Sequence, residues 1–227
     1  MALERDKCTE IALNVTRTRV TVLVFNLTII VFVFSLLVTQ DTTADRHAMT
    51  HLTSSVALFT GFCLTLLGLF WLLYSQNFNS EGLSHPLPFT LGAITTHLAL
   101  SQTVTAFMHE YLLGIDSAVD ASRLVAESAQ SLVRLDAPGG AALLVLFVMG
   151  GVVWVLTTYA GPLTVGFKSP VRSGWRWFFA AYYFALQIPI YWVYARAFQL
   201  QYLPADQPTN MLSIFALQFF QPALWVR

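Results

Sequence analysis

His97, Ser101 and Thr105 recur at intervals of four inside an otherwise apolar run, residues 86–115. That interval puts all three on one face of a helix. Gln102 and Thr103 widen the stripe, and His109 with Glu110 closes it. An imidazole among hydroxyls and an amide can relay a proton, or hold an ion or small solute in passage, and in apolar surroundings such groups need partners. Gln187, near the centre of a later apolar run, is the expected partner. The expected pathway is therefore His97, Ser101, Gln102, Thr105 and Gln187. His97 also admits two other readings, as an axial ligand to a haem or pigment or as a satisfied histidine that ties helices together.

A second constellation could bind metal. His47 and His51 are four apart, and His109, Glu110 and Asp116 follow one another closely. If the helices alternate direction, all five reach the same side of the bundle. Neutral imidazoles with carboxylates suit a divalent transition metal such as Zn, Cu or Fe. Haem is the second expectation here, through His51 and His109, because His97 lies about 18 Å from His109 along a straight helix. The metal reading makes the chain a subunit of a larger redox or metal-handling enzyme complex.

Signatures of catalysis by the chain alone are missing. The sequence has no Gly-x-Ser-x-Gly elbow, no His-Glu-x-x-His and no glycine-rich phosphate cradle. Thr164-Val165-Gly166-Phe167 resembles the selectivity-filter signature of potassium channels, whose loop carbonyls coordinate the ion. The pattern departs at once: Lys168 stands where that family continues with glycine, and Pro162 interrupts the pore-helix position. Tyr182, Tyr183, Tyr191 and Tyr194, with Trp175, Trp177 and Trp192, read as an aromatic belt plus packing.

The elements that must position these residues are membrane helices. Of the 227 residues 56% are hydrophobic and only 11% charged, less than half the share in a soluble domain, about 25%. Mean hydropathy is +0.62. The formal net charge is zero, so a nucleic-acid partner has no electrostatic support. Cys8 and Cys63 lie far apart and form no Cys-x-x-Cys pair.

The pattern predicts an all-α integral membrane protein, one polytopic domain over residues 1–227 with five spans at about 20–38, 52–74, 87–113, 141–159 and 177–194. The first run follows a charged arm without a cleavage pattern and is expected to stay as a span. Gly61, Thr65 and Gly68 make a small-residue face for close helix approach, and Asn26 is placed to bond across an interface.

Asp116 or Ser117 is expected to cap a separate amphipathic helix at 118–135. Gly161-Pro162 is expected to end the fourth span, and the short apolar segment 211–220 to lie at the interface or re-enter. With the N-terminus cytoplasmic and the C-terminus outside, Arg5, Lys7, Arg17, Arg19, Lys168, Arg172 and Arg176 lie inside. Arg46, Arg123, Arg134, Arg196 and Arg227 then lie outside. The expected partners are the lipid bilayer and further copies of the chain or other membrane subunits. The expected function is transport or channel activity.

Overall fold

The computed structural model describes residues 17, 20–31, 35, 52–77, 86–129, 148–168, 174–202 and 210–220, with the backbone alone at 76, 77, 111–129 and 202. Among them only Gly174 and Asn210 lie outside a helix, so the fold is all-α. The helices are α1 (Val20–Val31), α2 (Leu52–Asn77), α3 (Pro86–Ala129), α4 (Val148–Lys168), α5 (Trp175–Tyr202) and α6 (Met211–Leu217). A 3-10 turn, Gln218–Phe220, follows α6. Two helical stretches, Leu52–Ser75 and Val148–Lys168, are long and apolar enough to cross a membrane. Val20–Val31 and Met211–Phe220 are apolar but shorter.

The most extensive contact is between α2 and α3, and glycines set its register. A Cβ on Gly92 would lie 2.8 Å from Leu72 Cγ, one on Gly68 would meet Thr96, and one on Gly61 would meet Gln102. Contacts that ascend one helix and descend the other mark an antiparallel pair. The same face of α2 receives α1: Leu23 reaches Gly68, Ile30 reaches Gly61, and Asn26 Nδ2 donates to Thr65 Oγ1 at 3.1 Å. The small-residue face of α2 is thus where two helices meet it. Its first turn is fastened to the end of α5, since the Thr53 backbone N–H and hydroxyl both donate to Gln201 Oε1, at 2.9 and 2.6 Å. A donor that a helix start leaves over is satisfied there by another helix.

The core of leucines, isoleucines, alanines and tyrosines also holds wholly buried amides, while large apolar side chains face outward. Asn26, Gln102, Gln187 and Gln218 are each 1% exposed, whereas Phe25 and Phe59 are 67% and Trp177 83% exposed. Large apolar side chains also face outward from α3, α4 and α6, at Phe107, Val152, Leu163 and Leu212.

Three expectations need correction. Residues 86–129 form one helix of 44 residues, so neither Asp116 nor Ser117 begins a new one. Gly114 costs the helix only about 1 kcal/mol relative to alanine, and the leucines and isoleucine around it propagate the turn. The expected amphipathic helix is the distal part of α3 up to Ala129, and its positions 130–135 lie outside the described residues. Gly161-Pro162 does not end α4, because helix continues to Lys168. Residues 164–167, the filter-like tetrapeptide, are accordingly α-helical and not an extended loop. Helix α5 also runs further than expected, from Trp175 to Tyr202, with Pro189 inside it.

The path through Pro162 has a visible cause. A proline ring collides with the carbonyl four residues back and brings no N–H. The chain widens into a π turn over Leu156–Ala160, and Gly161 N–H bonds to Leu156 O, five residues back instead of four. Single π turns of this kind absorb an irregularity and concentrate at functional sites.

Candidate functional site

The interior polar layer is built on α3, which presents two faces to two neighbours. The first face meets α4 in antiparallel register: Met108 against Gly150, Thr105 against Trp154, His97 against Gly161. Trp154 Nε1 donates to Thr105 Oγ1 at 3.1 Å. A Cβ on Gly161 would fall 2.6 to 2.8 Å from three atoms of the His97 ring, so the half-buried imidazole lies flat on the glycine backbone beside the π turn. The same register places Thr158, fully buried within that turn, at the level of Ser101.

The second face of α3 meets α5 through phenols. Tyr182 Oη and Thr95 Oγ1 are 2.8 Å apart, and Trp71 Nε1 of α2 donates to the same phenol at 3.0 Å. Tyr194, wholly buried, donates its hydroxyl to Gln102 Oε1, while Gln102 Nε2 donates to Ser101 Oγ at 3.1 Å. A third group lies along α5. Gln187 Nε2 donates to the Tyr191 hydroxyl at 3.0 Å, Tyr159 of α4 adjoins that phenol, and Tyr159 Oη donates to Phe219 O at 2.6 Å. The Tyr191 and Phe219 rings meet edge to face at 4.7 Å, which ties the C-terminal turn to the layer.

Most hydroxyls of the α3 stripe are already spoken for. Thr90, Thr95, Thr96, Thr103 and Thr105 each donate to the carbonyl four residues back, and Ser101 to the one three back. Such back-bonding satisfies a hydroxyl inside an apolar bundle without a partner helix. What remains for chemistry is the two glutamines, the phenols and His97. Ser101, Gln102, Thr105 and Gln187 are buried as a group, but the hydrogen bond of Gln187 runs to its own helix and not to α3.

The groups that do reach α3 from outside are Trp154, Tyr182 and Tyr194. In sequence they are indistinguishable from packing aromatics. The signal that was available is that a buried phenol or indole needs a polar partner, and α3 holds the densest supply.

The metal constellation is only partly described. His109 is buried and Glu110 half-buried on α3, Asp116 is located by its backbone alone, and His47 and His51 lie outside the described residues. Among the described residues, no three histidine, cysteine, aspartate or glutamate side chains come together. Cys63 is exposed and unpaired.

No family model, curated protein or solved structure matches the chain. Function must therefore be argued from this layer.

Proposed function

We propose that the chain is a polytopic membrane protein of transport or channel type that moves an ion or small solute past the polar layer of α3. One observation carries the reading: amide, phenol and imidazole groups lie inside a bundle whose outer face is apolar. Water would favour the reverse arrangement, whereas lipid favours this one. In lipid, α1, α2, the apolar part of α3, α4 and α5 are the five crossings, with the N-terminus cytoplasmic, the C-terminus outside and α6 at the interface. Helix α3, about 66 Å long at about 1.5 Å per residue, is twice as long as a hydrocarbon core of about 30 Å, so its distal part stands beyond the bilayer. Lipid is the first partner, and further copies or other membrane subunits complete the assembly.

The layer is rich in neutral donors and acceptors, namely Gln102, Gln187, Tyr191 and Tyr194. Such groups offset the desolvation of a small uncharged hydrogen-bonding solute far better than that of a multivalent ion. The test is flux in reconstituted vesicles across a panel of small solutes and monovalent ions. Gln102→Leu and His97→Ala are expected to lower flux of the conducted species at least tenfold, equivalent to about 1.4 kcal/mol on the rate-limiting barrier. Unchanged flux in both folded variants would remove this reading.

A further inference from the structure

Helices α1 and α3 lean on the same glycines of α2 from two sides. Leu23 and Thr96 meet at Gly68, and Ile30 and Gln102 at Gly61, so the two helices run in the same direction. Between them opens a cleft of about 400 Å³, within the range of roughly 300–1,000 Å³ typical of ligand pockets. Its walls are Val22, Phe25 and Ile29 of α1 and Leu100 and Val104 of α3.

The polar side chains that line the cleft are already engaged elsewhere. Thr21 and Thr103 donate to Arg17 O and Ala99 O, at 2.9 and 3.2 Å, and Asn26 donates across to Thr65. What the cleft offers is hydrocarbon, and it calls for a hydrocarbon occupant. A partner helix fits it poorly, because membrane helices approach one another over small residues and these walls are valine, leucine, isoleucine and phenylalanine. From Thr21 to Ile29 the cleft runs about 12 Å at about 1.5 Å per residue. That length lies within one leaflet of a hydrocarbon core about 30 Å thick. One turn before Thr21, on the same side of the helix, stands exposed Arg17. Its guanidinium is a fork shaped for phosphate. A phosphate-seeking cation one turn beyond an apolar cleft matches a single molecule at both ends.

We propose that the α1–α3 cleft binds an anionic phospholipid, with one acyl chain between Phe25 and Leu100 and the phosphate held by Arg17. The site rests on the membrane location proposed above, and stands whether or not the α3 layer conducts a solute. With the N-terminus cytoplasmic, Arg17 faces the leaflet that carries anionic lipid.

The test is photolabelling of the full chain in phosphatidylcholine nanodiscs doped with phosphatidylglycerol that carries a diazirine on an acyl chain. Ile29 and Leu100 are expected to take several-fold more label than Leu66 and Phe70, which lie at a similar level on α2 and are more exposed. Unlabelled phosphatidylglycerol should displace the label from Leu100 about fivefold better than added phosphatidylcholine, the weight of one basic group at an anionic surface. Arg17→Gln should erase that preference, and Val22→Trp, which fills the cleft from its wall, should lower labelling of Leu100 and leave Phe70 unchanged. Label that follows exposure, highest on Leu66 and Phe70, would overturn the proposal and leave the membrane location intact; that comparison requires no variant. A folded Arg17→Gln protein that kept the preference would overturn it as well. Absence of label from every outward apolar residue would overturn the proposal and the membrane location together. Label concentrated in the cleft of a protein without flux would remove only the transport reading.

Discussion

The α1–α2–α3 seam and the α3–α4–α5 side use polar residues in opposite ways. Along the seam, glycines bring backbones together and threonines bond back to their own helices. The one cross-helix bond there, Asn26 to Thr65, adds to a hydroxyl that already has the Gly61 carbonyl. On the other side, long aromatic and amide side chains bridge between helices, and a π turn interrupts the regular ladder. The first arrangement is a support held by close backbone approach to α2, although α1 and α3 themselves stand apart over a cleft lined by Thr21, Asn26, Leu100 and Thr103. The second ties α3 to α4 and α5 through polar side chains that only the register between helices brings together.

Substitutions can break or sharpen that contrast. The largest effect is expected for Gly92→Ala, whose added carbon meets not only the Leu72 side chain but also its backbone N at 3.2 Å. Overpacking a rigid seam costs about 1–3 kcal/mol, read as a lower midpoint in denaturant titration of the purified protein. Gly161→Ala meets the His97 ring first, at 2.6 to 2.8 Å. It should destabilise by a similar or smaller amount, roughly 1–2 kcal/mol, and His97→Ala in the same chain should restore most of the loss. Failure of that rescue would show that the glycine serves the π turn and not the imidazole.

Tyr194→Phe leaves Gln102 Oε1 buried without its donor and should cost about 1 kcal/mol or somewhat more. Asn26→Leu should cost less, about 0.6 kcal/mol, the average for a cross-helix hydrogen bond in a membrane, since Thr65 keeps its carbonyl. If Asn26→Leu proved the costlier of the two, the contrast between seam and layer would be reversed. One expected effect has the opposite sign. Gly166→Ala meets nothing nearer than 3.5 Å and should stabilise α4 by up to about 0.5–1 kcal/mol in the same titration.

How much of this could be read from the chain follows the same division. The all-helical class, the Gly61–Thr65–Gly68 face and the bonding role of Asn26 are local patterns, carried by spacing within one helix. The polar positions of α3 are equally plain, since Ser101, Gln102 and Thr105 stand out against leucine and alanine. Their partners were not legible, because Trp154, Tyr182 and Tyr194 carry the same apolar signal as any packing aromatic. Only the register between helices selects them.

The two misread boundaries share a cause. Gly114 and Gly161-Pro162 are breakers by local propensity, and in both places the surrounding helix absorbed the cost, at Pro162 by widening into the π turn. Gln187 is legible as a buried amide, but its position in the sequence says nothing of where its side chain turns, and its hydrogen bond stays on α5.

The unbroken run of α3 has a mechanical meaning. From Gln102 to Ala129 the backbone is a single rod, about 40 Å long at about 1.5 Å per residue. Rigid secondary elements carry coupling between distant points of a protein. A partner that gripped the distal end and twisted it would turn Gln102 beneath Tyr194 and swing His97 across Gly161, as a key turns the wards of a lock from outside the door.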